Sequence, residues 1–303
     1  MRFVTATKGE HIFIGILDNE SKKVLNLQEA QEQSGYSFSL SSDIVTCLEQ
    51  GEEFLDNVRQ LQAWALENSS KEGVFESLET VDLLAPIPRP RKNIFCIGKN
   101  YAAHAIEMGS ESDIPSAPMV FSKAPTAVTG PNDIVLHHRN VTKELDYEGE
   151  LAVVIGKHGK GISKEDAMDY VFGYTILNDI TARDLQARHK QFLLGKSMDT
   201  SCPMGPYLVH KSLVEDPHNL KIETRVNGEV RQTGNTSQFI FDIPTLISVL
   251  SQATTLEPGD IIATGTPAGV GKGFKPPKYL QPGDKVEIEV EKIGTLVNMI
   301  EAQ

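Results

Sequence analysis

Two glutamates, Glu148 and Glu150, stand one glycine apart at the entrance to the apolar run LAVVI in the segment LDYEGELAVVIG. In an extended chain, residues two apart point to the same face, so the sequence predicts that these carboxylates converge. Like charges that are brought together away from water are costly unless a cation lies between them or the strand end is solvated. The pair therefore indicates either a cation site or a wet strand end.

A third carboxylate, Asp179, follows the apolar segment YTILN, which is typical of a strand. Functional side chains are often displayed where a strand gives way to a loop. Three carboxylates without a nearby cysteine favour a hard, oxygen-preferring ion such as Mg²⁺ or Mn²⁺ over zinc. The alternative is that Glu148 and Glu150 belong to a solvated strand face, which is common for this pattern.

Two further pairs have helical spacing. His104 and Glu107 in GKNYAAHAIEMG are three apart, so on a helix the carboxylate can orient the imidazole. Arg183 and Gln186 are also three apart and can present a guanidinium and an amide to a carboxylate. Taken alone, each pair is better explained by an exposed, solubilising helix surface.

The elements that must position these residues fall into two parts. The first part shows short strands and then helical periodicity, in the segments RFVTA, HIFIGILD, IVTCLEQG and EFLDNVRQLQAWALEN. The segment APIPRPRKN then holds three prolines in five residues, which disfavours helix and removes backbone donors. We therefore predict a small N-terminal α+β domain, residues 1–85, and a larger second domain, residues 86–303.

The second part reads mainly as strands joined by tight turns. Asn227 and Gly228 in ETRVNGEVRQ suit the positive φ angles of a two-residue type I′ hairpin. The turns EPGD and QPGD each lead into a predicted strand, IIATG and KVEIEVE respectively. These patterns predict a hairpin and two turn-led strands.

Helices are fewer in the second part. One is predicted to open at Ser163, with Asp166 three residues on, and another has Pro244 in its first turn. A third, short helix is predicted where Thr181 and Asp184 have capping spacing. The predicted class is α+β and β-rich, with neither regular βα alternation nor an internal repeat.

Composition narrows the function further. The 303 residues include 41 acidic and 29 basic side chains, a formal net charge of −12, which argues against nucleic acid or an anionic membrane as a partner. Three cysteines far apart in sequence predict neither a disulfide framework nor a thiolate zinc site. The N-terminal segment lacks an apolar signal core, so we expect a cytoplasmic protein.

Four ordered segments, YEGELAVVIGK, GYTILNDITARDLQ, GKSMDTSCPMGP and IIATGTPAGVG, resemble the catalytic domain of the fumarylacetoacetate hydrolase superfamily. The resemblance covers nearly everything from Pro86 onward and is nearest to bacterial two-domain members that act on oxaloacetate or acylpyruvates. It implies a mixed β-sandwich roll, a homodimer, and Mg²⁺ or Mn²⁺ held by Glu148, Glu150 and Asp179.

The resemblance also implies roles for individual residues. His104 and Glu107 would lie on a mobile lid helix and activate water, and Lys196 in GKSMDT would stabilise an oxyanion. Thr266 in GTPAGVG would hold the substrate carboxylate, with Arg183 and Gln186 nearby. That turn is not a nucleotide-binding P-loop, which needs glycine at position 266 and serine or threonine at position 273.

The first hypothesis for function is hydrolytic C–C cleavage of a β-diketo acid, an acylpyruvate or fumarylacetoacetate-like keto acid, through a metal-stabilised pyruvate enolate. Hydrolysis is preferred because the His104 and Glu107 pair could activate water. Decarboxylation of oxaloacetate through the same enolate is the alternative. A weakly active scaffold that binds a partner, and an isomerase or hydratase using the same enolate, also stay open.

Overall fold

The computed structural model describes residues 1–18 and 20–302. Its strands are Arg2–Lys8 (β1), His11–Asp18 (β2), Lys23–Asn26 (β3), Phe75–Ser77 (β4), Asp82–Leu83 (β5), Ile94–Gly98 (β6), Met119–Lys123 (β7), Val128–Thr129 (β8), Ile134–Leu136 (β9), Leu145–Asp146 (β10), Gly149–Ile155 (β11), Val171–Asn178 (β12), Thr181–Ala182 (β13), Cys202–His210 (β14), Lys221–Val226 (β15), Glu229–Asn235 (β16), Ile261–Ala263 (β17), Lys285–Val290 (β18) and Gly294–Glu301 (β19). Its α-helices are Leu27–Ser34 (α1), Ile44–Leu48 (α2), Glu52–Glu67 (α3), Ala102–Glu107 (α4), Arg183–His189 (α5), Leu193–Lys196 (α6) and Ile243–Ser251 (α7). The predicted β-rich α+β class is confirmed.

Most strands belong to two sheets. Within the described residues, the larger sheet has the order β4-β3-β2-β1-β14-β12-β11-β17-β6-β7, with β5 beside β1 and β8 beside β14. The second sheet has the order β16-β15-β18-β19-β9, and β10 pairs with β13 separately. Leu151 and Ile176 of the larger sheet share one buried core with Ile222 and Ile288 of the second. The two sheets therefore pack face to face, and one face of β11 and β12 is buried against the second sheet.

The larger sheet runs across the predicted domain boundary. Strand β1 pairs antiparallel with β14, with Phe3 opposite Leu208. The Phe3 ring lies 5.4 Å from that of Phe54 in α3 and 5.5 Å from that of Phe172 in β12. Residues before and after position 85 thus share a sheet and a core, and the boundary stays a prediction.

Local turn and cap chemistry accounts for several elements. Asn227 and Gly228 have φ angles of 53° and 78° and connect β15 to β16, as predicted for a type I′ hairpin. Helix α7 begins at Ile243, where the Asp242 side chain accepts a hydrogen bond from Thr245 N. Both predictions are confirmed.

The helix predicted from Ser163 is wrong. Ser163 Oγ donates to Asp166 Oδ2 at 2.9 Å, but this contact closes a turn, and only the 3-10 helix Ala167–Tyr170 follows. The chain then enters β12 directly at Val171, so a single turn is all that fits.

The capping contact predicted between Thr181 and Asp184 is also wrong, although helix α5 is present. Thr181 Oγ1 donates to Asp179 O at 2.8 Å, and Asp184 accepts from Thr142 Oγ1 at 2.6 Å. Helix α5 begins at Arg183 without a side-chain cap. Each side chain has a partner that the local spacing did not reveal.

Candidate active site

Two neighbouring strand ends bring the three acidic residues together. Glu148 and Glu150 lie at the start of β11, Asp179 follows the end of β12, and Gly149 pairs with Asn178 across the antiparallel ladder. One carboxylate oxygen from each acid lies within 4.8 Å of the others. All three are buried, so the alternative of a solvated strand face does not hold.

Three cations lie against two of these acids. Lys196 Nζ is 2.7 Å from Glu148 Oε2 and 2.6 Å from Asp179 Oδ2. Arg183 Nη1 lies 2.7 Å from Glu148 Oε1, and Lys123 Nζ lies 2.8 Å from Asp179 Oδ1. Asp179 Oδ1 nevertheless has no aligned hydrogen-bond donor among the described residues. Both oxygens of Glu148 and of Asp179 thus face a positive charge.

Glu150 has a different electrostatic environment from the other two acids. Its Oε2 accepts a hydrogen bond from Gly265 N at 2.7 Å, and no cation of the described chain lies within ion-pair distance of it. Burial, together with the nearby charges of Asp179 and Glu148, raises the pKa of Glu150 well above its ordinary value. Negative charge on Glu150 is therefore offset by Gly265 N and, at longer range, by Lys196, but by no direct ion pair within the described chain.

Glu148 shows the opposite behaviour. Burial alone would raise its pKa, but the Lys196 and Arg183 cations outweigh burial and hold the pKa of Glu148 well below its ordinary value. Burial would likewise lower the pKa of Lys196, yet Asp179 and Glu148 raise it. Glu148 and Asp179 are thus paired with cations, while the raised pKa of Glu150 favours its neutral form.

This donor set fits a hard divalent cation. The three carboxylates supply only oxygen atoms, are buried, and lie close enough to share one ion. An added cation would neutralise Glu150, which the protein's own cations do not reach. Glu148, Glu150 and Asp179 could therefore hold Mg²⁺ or Mn²⁺.

A cavity of about 330 Å³ opens beside the acids. Seven of the nine residues selected from the sequence line it: His104, Glu148, Glu150, Arg183, Gln186, Lys196 and Thr266. Asp179 lies behind Lys196, and Glu107 contacts His104. The cavity also exposes the aromatic rings of Phe121 and Phe192. A small polar ligand with an apolar edge fits such a lining.

Helix α4 brings His104 to this cavity. His104 Nδ1 lies 3.3 Å from Glu107 Oε2, and the His104 side chain is only 7% exposed, so an exposed surface pair does not describe it. The Glu107 carboxylate accepts a hydrogen bond from Gly269 N at 2.9 Å. Residues 269–273 are called here the glycine loop. Glu107 therefore joins α4 to the glycine loop.

Arg183 has one part of its side chain without a protein partner. Its Nη1 contacts Glu148 and, at 3.4 Å, Gln186 Oε1. Its Nε lies 2.8 Å from Asp146 Oδ2. The buried Nη2 has no hydrogen-bond partner within the described chain. A ligand carboxylate in the cavity could supply the missing acceptor.

The Thr266 hydroxyl already forms hydrogen bonds within the protein. Thr266 Oγ1 donates to Gly149 O at 2.9 Å and accepts from Gln232 Nε2 at 2.7 Å. A hydroxyl has one hydrogen to donate, so this one holds the start of β11. Binding of substrate by Thr266 stays a prediction, with its backbone amide as the candidate donor.

Two residues of the candidate site were missed from the sequence. Lys123 is fully buried on β7 and reaches Asp179 from more than fifty positions earlier in the chain, so no short spacing pointed to it. Asp146 is fully buried and contacts Arg183. It precedes Glu148 and Glu150 at the same two-residue interval, and this alternation was the available signal.

Comparison with known proteins identifies the family. A family model described as fumarylacetoacetate (FAA) hydrolase C-terminal matches residues 93–301. The chain belongs to the fumarylacetoacetate hydrolase family. The predicted family and its strand-rich fold are thereby confirmed, and the family consists of enzymes that act on small molecules.

Three relatives illustrate the range of the fumarylacetoacetate hydrolase family around this chain. Oxaloacetate tautomerase YisK of Bacillus subtilis is 58% identical over 302 residues, 99% of this chain and 100% of that protein. The structure of a fumarylacetoacetate hydrolase from psychrophilic Exiguobacterium antarcticum is 37% identical, with a TM-score of 0.81 over 100% of both chains. Maleylpyruvate hydrolase from Sphingobium sp. SYK-6, in complex with manganese(II) ion and pyruvate, is 28% identical, with a TM-score of 0.77 over 100% of this chain and 99% of that one.

These relatives bear on the metal and leave other expectations open. Manganese in a related structure supports a metal-binding role for the acidic triad, while the choice between Mg²⁺ and Mn²⁺ is open. Residues 1–18 and 20–302 contain no helix long and apolar enough to cross a bilayer. A cytoplasmic location and a homodimer stay predictions.

Proposed function

We propose that this enzyme catalyses the keto–enol tautomerisation of oxaloacetate or a close dicarboxylic 2-keto acid. The strongest support is a single cavity bordered by Glu148 and Glu150 of the acidic triad, by Arg183 with its unpaired Nη2, and by His104. The high identity to oxaloacetate tautomerase YisK over the full chain narrows the substrate.

The reaction moves one proton between two atoms of the substrate. Conversion of enol to keto removes the proton from the oxygen on carbon 2 and adds a proton to carbon 3, so no oxidant or co-substrate is needed. His104 Nδ1 is oriented by Glu107, which leaves Nε2 to exchange a proton with carbon 3. Arg183 and Gln186 would bind the carboxylate next to the keto group.

The remaining residues would stabilise the negative charge that develops on the substrate. Glu148, Glu150 and Asp179 would hold Mg²⁺ or Mn²⁺, which when bound supplies a Lewis acid for the charge on the substrate's oxygens. The ammonium of Lys196, which borders both the cavity and the acids, adds positive charge where the enolate oxygen would lie. Phe121 and Phe192 limit the access of water to the reacting carbon.

Hydrolysis of an acylpyruvate is the second candidate. The His104 and Glu107 pair is arranged as expected for activation of water, and the maleylpyruvate hydrolase relative has the same fold. Decarboxylation of oxaloacetate would use the same enolate. Tautomerisation is the favoured reaction because it requires only the proton exchange that His104 can supply.

One assay series separates the three reactions. Loss of the enol form of oxaloacetate is followed by ultraviolet absorbance, and pyruvate release from oxaloacetate or acetylpyruvate is followed with lactate dehydrogenase. We expect accelerated loss of the enol in Mg²⁺ or Mn²⁺, less pyruvate release, and no acceleration with chelator or in the Glu148→Gln, Glu150→Gln double variant. Enol loss at the buffer rate in the presence of either metal would overturn the proposal, and rapid pyruvate release from acetylpyruvate would favour hydrolysis.

A further inference from the structure

Asp146 is a buried carboxylate in contact with two parts of the site, and the proton transfer proposed above gives it no role. Its side chain is fully buried on β10, two residues before Glu148. Asp146 Oδ1 accepts hydrogen bonds from Gly271 N at 2.6 Å and from Tyr147 N at 3.0 Å. Asp146 Oδ2 accepts from Lys272 N at 3.0 Å and from Arg183 Nε at 2.8 Å. A buried charge with four donors is well satisfied and therefore rigid.

One side of this network fixes the orientation of Arg183. Asp146 holds Nε and Glu148 holds Nη1, so two edges of the planar guanidinium are occupied. The buried Nη2 is the nitrogen left without a protein partner in the described chain. Because the group is planar, the two acids determine where Nη2 points.

The other side fixes the glycine loop that receives helix α4. Asp146 binds the backbone of Gly271 and Lys272, while Gly269 N donates to Glu107 at 2.9 Å. The loop also leaves space for the Glu107 carboxylate at Gly273, where a Cβ atom would overlap Glu107 Oε1. The seat of Glu107 thus depends on a loop whose backbone Asp146 holds.

We propose that Asp146 is a positioning residue that couples the anchoring of the substrate carboxylate to the seating of α4. One carboxylate holds both Arg183 and the glycine loop, so a shift of either is felt by the other. Glu107, and with it His104, would be seated best when Arg183 is correctly oriented. The inference rests on the proposed function only for its kinetic readout, since the coupling itself is a property of the protein.

The main test is a double-mutant cycle between Asp146→Asn and Gly273→Ala. The asparagine keeps the size of the side chain but removes the charge and turns a donor toward Arg183 Nε or Lys272 N. The alanine moves Glu107 without touching Asp146. We expect Asp146→Asn to weaken oxalate binding in Mn²⁺ about 10-fold and to lower kcat. We expect Gly273→Ala to lower kcat and, because coupling is reciprocal, to weaken oxalate binding by a smaller factor.

The double variant then decides whether the two sites are coupled. Coupling predicts that its loss of kcat is at least about 5-fold smaller than the product of the single losses. Multiplicative losses would overturn the proposal. Asp184→Asn is the matched control, because Asp184 also accepts backbone and hydroxyl hydrogen bonds but contacts Thr142 instead of Arg183. It should leave kcat and the oxalate Kd unchanged.

A second variant covers the case in which Asp146→Asn fails to fold. Arg183→Lys keeps the positive charge but removes the Nε contact with Asp146, and Arg183 has no hydrogen bond to the glycine loop among the described residues. Coupling predicts faster amide hydrogen exchange in residues 269–273 of this variant, and unchanged exchange would overturn it. Wild-type protein that binds oxalate but does not accelerate tautomerisation would refute the proposed function alone, because the exchange test needs no turnover.

Discussion

At the residue scale, three buried acids lie close to three cationic side chains that come from different parts of the chain. Lys123, Arg183 and Lys196 lie within ion-pair distance of Glu148 or Asp179. Glu150 has no such partner among the described residues, and its pKa is raised accordingly, by burial first and then by its acidic neighbours. A bound divalent cation would favour the charged form of Glu150 and so complete a set of three carboxylate ligands.

Glu150→Gln should weaken metal binding without unfolding the protein. The amide oxygen can still accept the hydrogen bond from Gly265 N, but the charge that attracts the ion is lost. We expect the Kd for Mn²⁺, measured by isothermal titration calorimetry, to rise about 10-fold or more. Glu223→Gln is the matched control, since Glu223 is a buried strand glutamate paired with Lys221 outside the cavity. Equal Kd values in Glu150→Gln and wild type would remove Glu150 from the ligand set.

Lys123→Met should destabilise the protein most when metal is withheld. Lys123 is fully buried and faces Asp179, and removing one partner of a buried ion pair costs about 3–5 kcal/mol. Urea unfolding in chelator should show a loss of about that size, and Mn²⁺ should restore part of it by supplying positive charge. Lys285→Met, which breaks an exposed pair with Glu287, should cost less than about 1 kcal/mol. Similar losses in the two variants would show that Lys123 has no special electrostatic role.

The sequence predicted the site where the signal is local and missed it where the partners are distant. Glu148 and Glu150 follow from strand alternation, and His104 with Glu107 follows from helical spacing. Lys123 could not be found in this way, because its pairing with Asp179 depends on how β7 is placed in the folded chain. Thr266 was selected by resemblance, and only the structure shows that its hydroxyl hydrogen is used by Gly149 O.

At the element scale, helix α4 is short and depends on its end contact for its position. Its six residues are too few for a stable helix in isolation, so tertiary contacts must hold it. Glu107 at its last position accepts a hydrogen bond from Gly269 N in the glycine loop. The position of His104 therefore depends on that bond.

Glu107→Ala should loosen both partners of this contact. A hydrogen bond to a charged acceptor contributes roughly 1.5 kcal/mol, so the Gly269 amide should exchange its hydrogen about 10-fold faster. Hydrogen-exchange mass spectrometry should show this change in residues 269–273 and in α4, with β11 unchanged. Glu111→Ala, in the exposed turn after α4, should leave the glycine loop unaffected. Wild-type exchange in Glu107→Ala would mean that other contacts seat the helix.

Helices and turns were predicted correctly from the sequence where local backbone preferences determine the conformation. The Asn227 and Gly228 hairpin was predicted from residues that accept positive φ angles, and α7 was predicted from Pro244 in its first turn. The cap expected between Thr181 and Asp184 failed because side chains choose among all partners in the fold, not only among sequence neighbours. Thr142, the partner of Asp184, lies 42 positions away.

At the scale of the whole molecule, the continuous sheet predicts that the protein unfolds as one unit. The predicted boundary at residue 85 would allow separate unfolding, but β1 pairs with β14 and Phe3 packs between Phe54 and Phe172. The single tryptophan, Trp64, lies in α3 and packs against the core formed by both parts. Its fluorescence and the far-ultraviolet circular dichroism of the whole chain should therefore have urea midpoints that agree within about 10%.

Core substitutions make this test decisive, because each one destabilises residues on one side of position 85 and the measurement shows whether residues on the other side are destabilised as well. Phe54→Ala, in the first part, should lower stability by about 3–5 kcal/mol and shift both signals together. The reciprocal change, Ile247→Ala in α7, lies in the core between the two sheets and should shift the Trp64 signal as well. If residues 1–85 formed an independent domain, Phe54→Ala would shift the fluorescence midpoint and split the circular dichroism into two transitions, and Ile247→Ala would leave the fluorescence in place. Joint shifts would mean that the N-terminal strands are part of the framework that holds β11 and β12, and with them the acidic triad, in position.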